Sequence, residues 1–96
     1  MHLVINRLTF KPGTDWSELT RRVEELHALT CTAPGFVGLA LARLSDTEGA
    51  VLVRFETREG LDRISNEVAG PWFARNIRQF LAGPADRVVG EVVAGS

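Results

Sequence analysis

The apolar residues of this chain recur with two different periods. Alternation with a period of two predicts four β-strands, and spacings of three and four residues predict the helices between them. The first helix begins at Asp15, an N-cap residue followed three positions later by Glu18, as in a capping box. The second helical region is capped by Thr57 and breaks at Ala69-Gly70-Pro71, because Pro71 suits the first position of another helix. The predicted elements are strands at 2–10, 36–44, 50–56 and 87–94, one helix at 15–32, and two helices at 57–68 and 71–82.

The order of these elements, βαββαβ, indicates an α+β, ferredoxin-like fold with a four-stranded antiparallel sheet and its helices on one face. Alternation along each strand assigns its residues to the two faces of that sheet. The face toward the helices is expected to hold Asn6, Gly38, Ala40, Val88 and Gly90, and the opposite face Arg7, Leu39, Leu41, Arg54 and Glu91.

Both predicted faces of the sheet are largely apolar. An antiparallel sheet with one face in water normally alternates apolar with polar residues. Because the helices can cover only one face, we expect a second copy of the chain to cover the other and form a homodimer. The alternative is a monomer in which the charged residues of the second face lie at a wet sheet edge.

Composition restricts the class of protein further. The chain has 96 residues, 45% of them hydrophobic and 24% charged, which is typical of one globular domain covering 1–96. Its 11 basic and 12 acidic residues leave no basic excess, so nucleic acid is not an expected partner. Cys31 has no second cysteine to pair with, which favours the reducing cytoplasm. We predict no signal peptide and no membrane span, since no apolar stretch approaches the roughly 20 residues that a span needs.

Few residues point to chemistry. His2 and His27 are the only histidines, and no cluster has metal-ligand spacing, so no metal site is expected. His27 is a candidate general base, with a histidine at the solvent edge of its helix as the alternative. Asn6 lies among apolar neighbours of the first strand, where a buried amide needs partners. Its amide either bonds to nearby backbone or holds a substrate carbonyl or oxyanion.

Asn76 falls within the apolar arc of the last predicted helix, beside aromatic residues. We therefore expect Asn6 and Asn76 to face one pocket between that helix and the sheet, with ordinary helix-to-sheet packing as the alternative. The residues expected to bind a substrate there are Trp72, Phe73, Phe80, Gly38, Ala40, Trp16 and Glu67.

Four short segments occur in a recognisable order along nearly the whole chain. They are Val4-Ile5-Asn6-Arg7, Thr32-Ala33-Pro34-Gly35-Phe36, Arg54-Phe55-Glu56-Thr57 and Ala69-Gly70-Pro71. In this order the sequence resembles the antibiotic biosynthesis monooxygenase family of dimeric α+β barrels. The activities known in that family include oxidation of aromatic polyketides by dioxygen without bound metal or flavin, haem degradation and isomerisation, and related barrels cyclise polyketides.

The resemblance implies a monooxygenase-like enzyme that acts on an aromatic or polyketide-type molecule and needs no cofactor. Asn6 and Asn76 would hydrogen-bond the substrate's oxygens, and Trp72 and Phe80 would stack on its rings. Two alternatives stay open: a non-catalytic binding or accessory protein, and a polyketide cyclase of the same fold. In the haem-degrading members a histidine ligand matches Asn76 and a tryptophan matches Glu67, so haem binding of that kind is not expected.

Overall fold

The computed structural model of the chain describes residues 1–95. Its strands and helices follow the predicted order. They are β1 (His2–Thr9), α1 (Trp16–Thr30), β2 (Phe36–Arg43), β3 (Glu48–Phe55), α2 (Arg58–Ile64), a π-helical turn (Ser65–Ala69), α3 (Gly70–Asn76), a 3₁₀ turn (Arg78–Phe80) and β4 (Asp86–Glu91).

The four strands form one antiparallel sheet in the order β2-β3-β1-β4. The helices pack on one face of it, which confirms the predicted ferredoxin-like α+β fold. We call this the inner face, and the opposite one the outer face. The buried core between the inner face and the helices consists of Val4, Leu8, Phe10, Leu19, Val23, Leu26, Val51, Val53, Phe55, Leu61, Ile64, Trp72 and Ile77. No helix within residues 1–95 has the length and apolar character needed to cross a membrane.

A bulge at the start of β2 reverses the predicted faces of that strand. Phe36 pairs with Phe55 and Gly38 with Arg54, so β2 advances two residues where β3 advances one, and Val37 is extra. One inserted residue moves every later side chain to the other face. The prediction for Gly38 and Ala40 is therefore wrong, because both lie on the outer face.

The predicted face of Leu39 and Leu41 is wrong for the same reason. They pair with Val53 and Val51, two core residues of β3, and so belong to the inner face rather than to the outer one. Their side chains pack against the core beneath α1. A dimer interface on the outer face must accordingly be built from other residues.

The register of β4 also differs from the prediction. Val4 pairs with Val89 and Asn6 with Arg87, which places Val89 and Arg87 on the inner face. Val88 instead pairs with Ile5 on the outer face. The same pairing places Gly90 on the outer face and Glu91 on the inner one, opposite Leu3 and His2. Consecutive valines carry no alternation, so pairing with β1 decides which of them is buried.

Both predicted N-caps are confirmed. Asp15 Oδ1 accepts a hydrogen bond from the Ser17 amide at 2.9 Å, and Thr57 Oγ1 accepts one from the Gly60 amide at 3.0 Å. Glu18 does not complete a capping box. Its carboxylate is held by two arginines of the following turn instead.

The predicted helix break at Ala69-Gly70-Pro71 is a π-helical turn rather than a break. The Gly70 amide donates to the carbonyl oxygen of Ser65, five residues earlier, and the chain remains helical from 58 to 76. In a regular α-helix the ring of Pro71 would clash with the carbonyl of the residue four positions before it. The wider turn before Pro71 accommodates the proline without ending the helix.

The last helix ends at Asn76, six residues before the predicted end at 82. The next residues are drawn into contact with the end of β1, because the Lys11 amide donates to Phe80 O and the Ala82 amide to Thr9 O, both at 2.8 Å. Leu81 forms an isolated antiparallel bridge with Phe10. Extended pairing at 81–82 is incompatible with continued helix, so tertiary contact decides this boundary.

Candidate functional site

A cavity of about 340 Å³ lies between the inner face of the sheet and the helical segment that contains the π turn. This volume falls in the range of about 300–1,000 Å³ that small-molecule sites occupy. The apolar part of its lining consists of Val4, Leu26, Leu39, Val51, Val53, Ile64, Ala69, Gly70, Trp72, Phe73 and Ala85. The polar part consists of Asn6, Thr30, Ser65, Arg78 and Arg87.

Asn6 and Arg87 form the polar floor of the cavity. They are paired residues on β1 and β4, so their side chains leave the sheet on the same face. Within residues 1–95 the Asn6 amide makes no side-chain hydrogen bond, although its residue is only partly exposed. Asn6 therefore has both an acceptor and two donors available to a bound molecule.

Trp72 forms the wall above this floor and carries the most unusual polar group of the site. The residue is 2% exposed, and its Nε1–H is buried with no hydrogen-bond acceptor in the described part of the chain. Buried donors of this kind are rare in native proteins, and each requires an explanation. The indole ring lines the cavity, but Nε1 itself is closed off from it, since less than 1 Å² of that atom is accessible.

The π turn shapes the same wall. Ser65, Ala69 and Gly70 all line the cavity, and a Cβ atom at Gly70 would lie 2.8 Å from the Ser65 carbonyl oxygen. Glycine is thus required at position 70 by a close backbone approach. Among soluble proteins, single π turns inside helices occur frequently at functional sites.

The structure does not bring Asn76 to the cavity. Its Nδ2 donates to the Trp72 carbonyl oxygen at 2.9 Å, one turn earlier in α3. Its own carbonyl oxygen accepts from Arg22 Nη1 at 2.8 Å. The predicted shared pocket for Asn6 and Asn76 is not what the structure shows, because the Asn76 side chain bonds back to its own helix and does not line the cavity.

Phe80, like Asn76, does not line the cavity. The guanidinium of Arg22 lies over its ring, 4.9 Å from the centroid, and the ring packs against the core outside the cavity. Arg22 is also hydrogen-bonded to Glu18 at 2.8 Å. Hydrogen bonds from Arg21, which has the larger effect, and from Arg22 lower the pKa of the Glu18 carboxyl from 4.5 to about 2.

Three more predicted site residues lie away from the cavity. His27 is exposed, meets the Phe36 ring edge-on at 5.6 Å, and lines a shallow groove between α1 and β2. Trp16 lies further along that groove, where its Nε1 donates to Asp46 O at 2.9 Å. Glu67 is exposed on the π turn and does not line the cavity.

Of the predicted binding residues, Trp72 and Phe73 line the cavity together with Asn6. Sequence reasoning missed Arg78 and Arg87. Arg87 was hidden by the ambiguous register of β4, which anchoring on Val89 instead of Val88 would have resolved. A continuous helix to residue 82 would place Arg78 on its polar side, whereas the 3₁₀ turn redirects it.

No family model matches this chain, and no curated protein matches it. Solved structures do match. A candidate antibiotic biosynthesis monooxygenase from Nitrosomonas europaea superposes with a TM-score of 0.82 at 12% identity, over 98% of this chain and 100% of that one. The chain has the fold of the antibiotic biosynthesis monooxygenases.

Two further structures share this fold. SnoaB, a cofactor-independent oxygenase from Streptomyces nogalater, has a TM-score of 0.79 at 16% identity, over 98% of this chain and 94% of its own. A variant of MhuD with two manganese protoporphyrin IX molecules bound per active site has a TM-score of 0.76 at 22% identity, over 100% and 98% of the two chains. At these identities the similarity establishes the fold, and the activity must be argued from the cavity.

Proposed function

We propose that residues 1–96 form one monooxygenase-like domain that oxidises an aromatic or polyketide-type molecule in the cavity, without a bound metal or flavin. The observation that supports this most strongly is a mainly apolar cavity of about 340 Å³ with the indole ring of Trp72 in its wall and the amide of Asn6 in its floor. An aromatic ligand would fill the apolar space and place an oxygen against the Asn6 amide. SnoaB, which has the same fold, is a cofactor-independent oxygenase.

The reaction requires little from the protein beyond binding and orientation. A ring methylene made acidic by an adjacent carbonyl loses a proton to solvent, and the resulting enolate, bound in the cavity, passes electrons to dioxygen. One oxygen atom becomes the new carbonyl of the product, and the other leaves as water with the two hydrogens of the methylene. The Asn6 amide is a donor suited to stabilising the negative oxygen that forms when this proton is lost.

The test is turnover of a tricyclic aromatic ketone with such a methylene. We expect dioxygen uptake and one labelled oxygen in the product from isotope-labelled dioxygen, and no turnover under nitrogen. Ala85→Phe, which adds a ring to the cavity lining, should abolish turnover while circular dichroism stays unchanged. Binding of the ketone without turnover would contradict the oxygenase and favour an accessory binding protein, and a ring-closed product would indicate a cyclase.

A haem held by histidine does not fit this cavity. The MhuD structure contains a metal porphyrin, but the lining of the cavity here includes no histidine. His27 lies in the groove on α1, His2 begins β1, and Asn76 is bonded within α3. Haemin should therefore give no saturable spectrum of histidine-ligated iron. Such a spectrum, lost in His27→Gln, would contradict this assignment.

A homodimer closed by the outer face of the sheet is part of the proposal. All helices pack on the inner face, and the outer face presents Leu3, Ile5, Ala40, Leu52 and Val88. Val88 is 54% exposed. A second copy of the same face is the simplest cover for an apolar sheet surface of this kind.

We place the protein in the cytoplasm on the evidence of its single cysteine. Cys31 is a free thiol and is exposed. An exposed unpaired thiol is suited to a reducing compartment, whereas small secreted domains usually carry several disulfides.

A further inference from the structure

Two guanidinium groups reach the cavity from separate elements, Arg78 from the 3₁₀ turn and Arg87 from β4. Both residues are exposed as well as lining the cavity, so they lie where it meets solvent. Neither has a carboxylate partner among residues 1–95. The ion pairs found in that part of the chain use Arg7, Arg21, Arg22, Arg43 and Arg58.

The rest of the lining offers nothing to balance these charges. None of the 16 residues that line the cavity is Asp, Glu or His. The cavity therefore contains two cations, no anion, and no side chain able to remove a proton near neutral pH. A ligand that needs to be ionised must enter already ionised.

The side chains that line the cavity also offer more hydrogen-bond donors than acceptors. Arg78 and Arg87 contribute only N–H donors, whereas the Asn6 amide and the Ser65 hydroxyl can both donate and accept. Thr30 also lines the cavity, but its hydroxyl donates to the Leu26 carbonyl oxygen at 2.9 Å. A ligand that presents oxygen acceptors therefore meets more partners in this lining than one that presents donors.

We infer that the cavity selects molecules that combine an aromatic body with one ionised oxygen acid, and that Arg78 and Arg87 determine this selectivity. A carboxylate, or a phenolate or enolate, supplies the shared chemistry. Charge-assisted hydrogen bonds from arginine forks are stronger than those between neutral groups, and planar acid groups fit them. The inference rests on the proposed use of this cavity as the substrate site, and names the class of substrate that it takes.

Nuclear magnetic resonance provides a direct test, because the sequence has two tryptophans. The indole N–H signal of Trp72 reports on the cavity. That of Trp16, bonded to Asp46 O at the far end of α1, serves as the internal reference. The probes are 2-naphthoate, its neutral isostere 2-naphthamide, and the ionised phenol 2,4-dinitro-1-naphtholate.

We expect 2-naphthoate to shift the Trp72 signal saturably and to bind about tenfold more tightly than 2-naphthamide. Arg78→Gln and Arg87→Gln should each weaken 2-naphthoate about five- to tenfold and leave 2-naphthamide unchanged. Arg87→Lys should retain part of the preference, since the charge remains. Arg63→Gln removes the same charge from an exposed site on α2 and should change neither affinity.

The outcomes separate this inference from the proposed function. Equal affinity for the acid and the amide, or arginine variants without effect, would overturn the inference while an active oxygenase stood. No saturable shift of the Trp72 signal with any probe would overturn it as well. If 2,4-dinitro-1-naphtholate competes better than 2-naphthoate, the natural group is a phenolate or enolate, and the reverse order indicates a carboxylate.

Discussion

Asn6 and Arg87 stand opposite each other on β1 and β4, with both side chains on the face that lines the cavity. A neutral amide thus lies beside an unpaired guanidinium on the floor of the site. A change of charge at position 6 should therefore change which ligands the cavity binds.

Asn6→Asp should close the site to anions. The substituted carboxylate would have nearly the same shape as the amide and would pair with Arg87 across the strands. An opposite-charge pair of this kind contributes about 0.2–1 kcal/mol to the sheet, so the fold should be retained. The affinity for 2-naphthoate, measured by resonance titration, should fall at least about tenfold.

The matched control for this change is Asn66→Asp, which adds the same charge at an exposed position of the π turn outside the cavity lining. It should leave the affinity for 2-naphthoate within about twofold. Equal losses in the two variants would mean that net charge, and not the Asn6–Arg87 pair, governs binding.

Trp72→Phe separates binding from stability. The change removes buried apolar area, which destabilises the protein, but it also removes a buried donor whose lack of an acceptor costs about 1–3 kcal/mol. Because the two effects oppose each other, the free energy of unfolding in urea should change by less than about 1.5 kcal/mol. Ligand affinity should fall about tenfold, because the smaller ring presents less aromatic surface to the cavity. A loss of stability above about 3 kcal/mol with unchanged affinity would show that the indole serves packing alone.

The sequence predicts the order of elements well because strong local signals mark it. The Asp15 and Thr57 caps, the turns and the apolar alternation all act within a few residues. The faces of β2 and β4 could not be read in the same way. A single extra residue, Val37, exchanges the two faces of β2. The consecutive valines 88 and 89 leave the faces of β4 undetermined until that strand pairs with β1.

The sequence predicts the residues of the cavity lining only where it also predicts which face of a strand or helix they occupy. Asn6, Trp72 and Phe73 lie on segments whose faces were assigned correctly, and all three line the cavity. A helical wheel places Asn76 in the same arc as Trp72, but it does not show that the Asn76 amide bonds to the Trp72 carbonyl oxygen at the end of α3. Arg78 depends on a 3₁₀ turn that a bridge from Leu81 to Phe10 imposes. No local pattern encodes that contact.

Gly70→Ala should destabilise the protein and distort the cavity wall. The added Cβ would lie 2.8 Å from the Ser65 carbonyl oxygen, so the π turn must shift. We expect a loss of about 1–3 kcal/mol in urea unfolding, as for other overpacked sites. Gly83→Ala is the control: a Cβ there meets nothing within 4 Å. It should be neutral or stabilise by about 0.4–1 kcal/mol. Equal effects at the two positions would mean that the Ser65 contact imposes no constraint.

The Glu18 carboxylate should titrate near pH 2, since hydrogen bonds from Arg21 and then Arg22 lower its pKa from 4.5. A depressed folded-state pKa means that the stabilisation is present above pH 4.5 and is lost as the pH falls toward 2. Carbon-detected titration should show the pKa rising in Arg21→Gln, and rising less in Arg22→Gln. A pKa near 4.5 in the unsubstituted protein would contradict the hydrogen bonds to both arginines.

Ile5→Lys should convert a dimer into a monomer. Ile5 lies in the middle of the outer face, opposite Leu52 on one side and Val88 on the other, where a buried unpaired ammonium would be strongly unfavourable.

The control is Leu29→Lys, which makes the same kind of change at a leucine that is 53% exposed on α1. Sedimentation equilibrium at micromolar concentration should give the mass of two chains for the unsubstituted protein and for Leu29→Lys, and of one chain for Ile5→Lys. Leu39→Lys would be uninformative about the interface, because Leu39 packs toward the helices and the change would destabilise the core. A single-chain mass for the unsubstituted protein would show that water covers the outer face, and a dimer that survives Ile5→Lys would move the interface to another surface.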